Sequence, residues 1–228
     1  MANVRSEAES RELHDKILTA ATAMFVQKGF EKTSLTDIAK LSGIPKSKIL
    51  YEMNSKEEIL VRLVTEFLDA VTRASDAVST KLTDDKIMIF MANEVLQVYM
   101  AEMSDDMRNL YLSGYSMPKT SEEVLKRRSE MLYKQFGSTF PDFELKDYYE
   151  LEIASMGIMR AYMSVPCDMY FTMQAKTERL ISTMLRIYDI DQAKIDQTNE
   201  FVKKIDFETL AKKTVEDVFE EFNIKKEN

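Results

Sequence analysis

Between Leu13 and Phe25 apolar residues return at every third or fourth position: Leu13, Ile17, Ala20, Ala21, Met24 and Phe25. That spacing puts them on one face of an α-helix, predicted from about Ser10 to Lys28, with Gly29 as its left-handed stop. A shorter stripe follows in Leu35, Ile38 and Ala39, capped by Thr33 or Ser34 and ended by Gly43. Pro45 comes next. At the first helical position its fixed φ is suitable and its missing N–H is no loss, so a third helix is predicted to begin there. Asn54-Ser55 interrupts, and Ser55-Lys56-Glu57-Glu58 reads as a capping box, with Ser55 at N-cap and Glu58 three residues on. A long helix then carries Ile59, Leu60, Leu63, Val64, Phe67, Leu68 and Val71 on one stripe, reaching Ser79.

Beyond it the same periodicity predicts helices near 84–103, 105–115, 121–136, 144–164, 168–188, 191–205 and 207–222. The breaks fall at Ser104, Met117-Pro118, Gly137 to Pro141, Val165-Pro166, Tyr188 to Asp191 and Asp206. Gly and Pro together number only nine in 228 residues, which argues against long linkers and glycine-rich phosphate loops. The expected class is all-α: a three-helix N-terminal domain over residues 1–54 and a larger helical bundle over residues 55–228. No repeat and no low-complexity tract is visible.

Composition narrows the setting. A 45% apolar and 31% charged chain is ordinary for a folded soluble protein. The single cysteine, Cys167, excludes an internal disulfide and suits a reducing compartment. No N-terminal apolar segment resembles a signal peptide. The longest wholly apolar run, Ile87 to Ala92, falls far short of the roughly 20 residues a membrane helix needs. A cytoplasmic protein is the expectation.

Charge is unevenly placed. Residues 1–60 hold nine Lys/Arg and nine Asp/Glu, so the rest of the chain carries the whole formal charge of -8. Between Lys28 and Lys56 six lysines face three acids. An acidic body with one mildly basic corner repels a polyanion everywhere except at that corner.

Two short helices joined by a glycine turn, braced by a longer helix before them, are the parts of a helix-turn-helix. In that motif the second helix of the pair enters the major groove of DNA, and the first crosses the backbone. Here residues 34–42 form the bracing helix and 45–52 the reader. Lys46, Ser47 and Lys48 occupy the reader's first turn, within reach of bases and phosphates. Lys56 is expected to face the adjacent backbone, and Ser34 and Ser55 offer helix N-termini to phosphate.

The run ILTAATAMFVQKGFEKTSLTDIAKLSGIPKSKILYEMNSKEEIL resembles the DNA-binding domain of the TetR family of bacterial transcriptional repressors. Ala20, Ala21, Phe25, Gly29, Thr33, Ile38, Ala39 and Gly43 carry the frame, and Ser55 to Glu58 fit it too. The resemblance implies a DNA surface of Thr33, Ser34, Thr36, Pro45, Lys46, Ser47, Lys48, Tyr51 and Lys56. It also implies a homodimer on a palindromic operator, and a C-terminal domain for effector binding and dimerisation. A ligand-responsive repressor, released by a small and largely apolar effector, is the function expected. An activator of the same fold, or a scaffold with a weakened DNA module, are the alternatives. The family's reading helix usually ends Leu-Tyr-X-His-Phe, where this chain has Ile49-Leu50-Tyr51-Glu52-Met53. Glu52 is thereby expected to bring a carboxylate toward phosphate, with Tyr51 supplying a hydroxyl in compensation.

For the effector, the methionine-rich and tyrosine-rich second half suggests an adaptable lining. Candidate lining residues are Met88, Met91, Tyr99, Met103, Met107, Tyr111, Tyr115, Met159, Tyr162, Met163 and Tyr170. Each methionine by itself reads far more readily as core filler. Lys126-Arg127-Arg128 reads as a solvated face, His14 as exposed, and Cys167 as a buried, inert thiol. One His and one Cys cannot complete a metal site of the usual ligand count. No nucleophile elbow, P-loop or dinucleotide motif is present, so neither an enzyme nor a cofactor is expected.

Overall fold

The computed structural model describes residues 7–221, in which eleven α-helices and no strands occur. Three make the N-terminal unit: α1 (Glu7–Lys28), α2 (Leu35–Ser42) and α3 (Lys46–Met53). The body follows as α4 (Lys56–Ser79), α5 (Lys86–Glu102), α6 (Asp105–Ser116), α7 (Pro118–Phe136), α8 (Leu145–Ser164), α9 (Met173–Ile187), α10 (Gln192–Val202) and α11 (Phe207–Glu221). Every predicted helix is present, and the boundaries that moved have local causes.

Pro45 is the N-cap of α3 rather than its first residue: its ψ is extended at 137°, and its carbonyl accepts from the Lys48 and Ile49 N–H groups. Pro118 instead opens α7 directly, three residues earlier than expected. Helix α9 starts five residues late because Asp168 Oδ1 accepts from the N–H groups of Tyr170 and Phe171, folding 168–171 into a turn before Thr172 caps the helix. The expected capping box at Ser55 is half made. Ser55 Oγ accepts from Glu58 N–H at 3.0 Å, but the Ser55 N–H turns to Met53 O. Full reciprocal boxes occur at Ser34 with Asp37 and at Glu144 with Asp147.

Ile17, Ala21 and Phe25 of α1 meet Ile38, Ile49 and Met53 of α2 and α3 in one core, closed by Ile59 and Leu60 of α4. Helix α4 therefore belongs to both units. At the centre of the body α5 is buried on nearly all sides from Phe90 to Ala101, packed by α4, α6, α8, α9, α10 and α11. A helix enclosed this way is normally apolar all round, yet α5 carries Asn93, Glu94 and Gln97 inward. A second joint between the units is the packing of α1 on α6. Among the described residues no helix is long and apolar enough to cross a membrane.

Candidate functional site

Helix α3 packs on α2 and α4 through Ile49 and Met53, both wholly buried, and turns its other face to solvent. Gly43 makes the turn possible. Its φ of +69° is left-handed, where a Cβ would be strained even though nothing crowds it. The open face holds Pro45, Lys46, Ser47, Leu50 and Tyr51, with Tyr51 84% exposed and Lys48 half-buried beside them. Thr36 is exposed on α2.

Ser34 opens α2 in a tight exchange with Asp37. The serine N–H and hydroxyl donate to Asp37 Oδ2 at 2.9 and 2.7 Å, and Ser34 Oγ accepts from the Asp37 N–H at 3.2 Å. The Ser34 hydroxyl, its N–H and the Lys28 ammonium 3.1 Å away hold the Asp37 carboxyl well below the usual carboxylate range.

Three other expectations turn inward. Thr33 is buried, its hydroxyl donating to Met24 O and Gly29 O. Lys56 aims its ammonium not outward but at Phe30 O and Thr33 O, 2.8 and 3.0 Å away and 4.1 Å above the Phe30 ring centre. Two carbonyls of the α1–α2 connection, one of which also accepts from the Thr33 N–H, make a better partner than solvent for a stem lying along that ring. Glu52 does not point to the open face either. Its Oε2 lies 3.2 Å from His14 Nε2, and His14 Nδ1 lies 3.3 Å from Arg62 Nη1. His14 is thus half-buried between α3 and α4, against the expectation of an exposed ring. The tautomer with its proton on Nε2 satisfies both neighbours, donating to Glu52 and accepting from Arg62.

In the body, a narrow apolar cleft of about 20 Å³, room for about one water molecule, lies between α4, α6 and α7. Leu63, Val64, Phe67 and Leu68 form one wall, Leu110, Tyr111, Gly114 and Tyr115 the other, and Val124 the floor. Gly114 lets the helices come this close, since a Cβ there would stand 3.1 Å from Val64 Cγ2. Of the expected effector residues the structure brings Tyr111 and Tyr115 to this cavity. Met91, Met107, Met159 and Met163 are core residues elsewhere, and Tyr99 stacks on Phe207 and Tyr162 on Phe171. Met88 is half-buried beside Thr83, while Met103 and Tyr170 are exposed. Cys167 is half-buried, its thiol facing Met173 Sδ.

Behind Tyr115 lies a polar cluster that periodicity missed. Arg128 is buried, not solvated, and donates to Glu152 Oε2 at 2.6 Å and Glu94 Oε1 at 2.8 Å. Tyr188 donates to Glu152 Oε1, Tyr115 donates to Gln97 Oε1, and Gln97 is held by Asn93. Burial raises the Glu94 carboxyl although Arg128 opposes it. Burial alone would lower the Arg128 guanidinium, but Glu152 and Glu94 more than offset that and keep it charged. A signal was present in the sequence: Arg128 sits on the apolar stripe Val124, Leu132, Phe136 at four-residue spacing. Of its neighbours, Lys126 is exposed and Arg127 pairs with Asp69. Among the described residues no group of His, Cys, Asp and Glu is placed to hold a metal.

Two short helices joined at a left-handed glycine, braced by α1 and set on a larger helical body, form a helix-turn-helix arrangement. Residues 17–63 match the family of bacterial regulatory proteins called tetR. The HTH-type transcriptional regulator TtgR of Pseudomonas putida is 33% identical over 76 residues, covering 32% of this chain and 36% of that protein. The chain thus aligns with about a third of that relative's length. The biofilm operon icaADBC HTH-type negative transcriptional regulator IcaR of Staphylococcus epidermidis is 27% identical over 142 residues, 60% of this chain and 70% of IcaR. Among solved structures, RolR in complex with resorcinol superposes with a TM-score of 0.66 at 15% identity, over 88% of this chain and 97% of RolR, a likeness of fold. Residues 17–63 thus carry the helix-turn-helix of the tetR family's model, and the chain as a whole shares its all-helical fold with RolR.

Proposed function

We propose that this protein is a ligand-responsive transcriptional repressor that binds operator DNA as a symmetric dimer. The observation that carries this reading is the open face of α3, where Lys46, Ser47 and Tyr51 stand free on an otherwise acidic molecule. Residues 1–54 are the DNA-binding unit, with Ser34, Thr36, Pro45, Lys46, Ser47, Lys48 and Tyr51 toward DNA, while Thr33 and Lys56 shape that surface from within. Residues 55–228 form the effector and dimerisation unit. Leu145, Tyr149 and Ile153 support a dimer face, since they expose an apolar stripe at four-residue spacing along α8. Two readers then fall in successive major grooves roughly 34–36 Å apart on a pseudo-palindrome. The negative regulator IcaR favours repression over activation. The RolR complex with resorcinol favours a small aromatic effector.

The slot between α4 and α6 supports the coupling. Both helices touch the DNA-binding unit, α4 through its own first turns and α6 through α1. A molecule that parts them shifts the two readers relative to each other. Effector and DNA then weaken each other's binding by the same factor, usually about 5–150-fold. Selection of duplexes from a random library at moderate salt tests the reading. Enrichment of a pseudo-palindromic site, lost with Lys46→Ala, is the expected result. Retention of all duplexes alike, or of none, overturns it.

A further inference from the structure

Where α5, α9, α10 and α11 meet, a cleft of about 410 Å³ opens to solvent, a size usual for small-molecule sites. Much of its lining is apolar. Val202, Ile205 and Phe207 are buried, and the half-buried Tyr99 ring stacks on Phe207 at 5.4 Å.

Two other lining residues hold buried polar atoms that no protein group satisfies: Thr177 Oγ1 and Asn199 Oδ1. A threonine inside a helix has a local remedy, the carbonyl four residues back. Thr22, Thr72, Thr198 and Thr214 all use it. Thr177, within α9, does not. An unsatisfied buried polar atom is unfavourable, and its persistence in a folded protein calls for a reason.

The chemistry of these atoms says what would suit them. Asn199 Oδ1 can only accept, so an occupant must donate to it, whereas the Thr177 hydroxyl can donate or accept. Burial raises the Tyr99 phenol, only partly offset by the nearby Thr177 hydroxyl, so Tyr99 stays protonated and able to donate. One group that donates once and accepts from hydroxyls serves all three.

Charge narrows the class further. Glu178 and Lys203, the charged side chains of the lining, lie 3.8 Å apart, and Lys203 is also held by Glu200 at 2.7 Å. Glu178 accepts from Gln174 as well. An anion therefore finds the ammonium taken by two carboxylates, and a cation finds the lining carboxylate already facing an ammonium. Neither ion gains a free counter-charge to offset its desolvation.

We infer that this cleft is a small-molecule site, separate from the α4–α6 slot, and that it takes a neutral molecule with an apolar body and one amide or alcohol group bonded to Asn199 and Thr177. A bridging water is the rival occupant of those two atoms. The two cases differ in stability. A hydroxyl awaiting a ligand can be replaced by a methyl without loss, and a hydroxyl already bonded to water cannot.

Thermal unfolding of the full chain, with NMR titration of five probes built on one ring, tests the site. Cyclohexanecarboxamide and cyclohexylmethanol carry the neutral group and tell amide from alcohol. N,N-dimethylcyclohexanecarboxamide lacks the donor, and cyclohexanecarboxylate and cyclohexylmethylammonium carry charge. The better of the first two should bind about tenfold tighter than each of the other three. Thr177→Val should keep or raise the unfolding midpoint and weaken that probe about tenfold, with Thr177→Ser restoring it. Gln174→Trp, at an exposed lining position, should abolish binding and so fixes the location. A midpoint lowered by Thr177→Val, tightest binding of a charged or donorless probe, undiminished binding to Gln174→Trp, or no binding at millimolar probe overturns the inference. Duplex retention on the same preparation reads the regulator separately: loss of probe binding sinks only this site, and loss of duplex binding only the regulator.

Discussion

His14 Nε2 lies 3.2 Å from Glu52 Oε2, so the last turn of the reading helix is tied to α1, and through Arg62 to α4. The helices α1, α3 and α4 are thereby joined by side chains as well as by core packing. The Glu52 carboxylate is turned inward and holds α3 to α1; on the proposed DNA surface a free carboxylate would be repulsive.

From that contact follows a double-mutant cycle. His14→Ala and Glu52→Gln should each destabilise the fold modestly, with a coupling of about 0.5–1.5 kcal/mol, typical of a partly buried hydrogen-bonded pair. Urea denaturation of the four proteins measures it. Additive losses would show that the pair does not act together. Glu52→Gln should not tighten DNA binding, because the carboxylate it removes does not face phosphate.

Lysines 46 and 56 should separate in salt titrations of operator binding. Lys46→Ala removes an exposed cation and should lower the salt slope by about one. Lys56→Met should leave the slope unchanged and cost about 1–3 kcal/mol of stability, because its ammonium serves Phe30 O and Thr33 O. A lowered slope for Lys56→Met would place that ammonium on the DNA.

Asp37 gives the α2 start an acid limit. Its folded carboxyl is depressed below the ordinary value of 3.8 by the Ser34 hydroxyl and N–H and by Lys28. Its contribution is complete above the unfolded value and is lost as pH falls through the folded one. Asp37→Asn should therefore be less stable than the natural protein at neutral pH, the gap closing progressively below about pH 4. Chemical denaturation across pH 2–7 reads the gap, and one constant with pH would contradict the assignment.

Gly114→Ala should imitate a wedge. The new methyl stands 3.1 Å from Val64 Cγ2, and the branched Val64 has few rotamers to escape into. Overpacking costs about 1–3 kcal/mol, offset in part by roughly 0.5–1 kcal/mol of helix propensity. Operator affinity without effector should fall several-fold as α4 and α6 part. Affinity equal to that of the natural protein, in a folded variant, would disconnect this slot from the reader.

Much of the chain was legible before folding. Eleven helices, the glycine turn and the Ser34 cap follow from local rules: the period of apolar positions and the few residues able to start or stop a helix. Local rules also placed Lys46, Ser47 and Tyr51 on one small helix with Pro45 at its start. Those rules do not say which way a long polar side chain turns. Lys56, Glu52 and His14 were misread because each found its partner 23 to 48 residues away, across helices. Arg128 was misread for the same reason: in a basic triplet it looks solvated, and only Glu94 and Glu152 arriving from other helices make its burial tolerable. The candidate effector residues were scattered because methionines and tyrosines fill cores wherever helices meet, while the α4–α6 cleft depends on Gly114, whose missing Cβ sets the spacing there. The sequence by itself determined the helices, their order and the family resemblance, because these depend on neighbours along the chain. Tertiary structure decided which charges face solvent and where the slot opens, because burial and long-range pairing set the free energy of a charge.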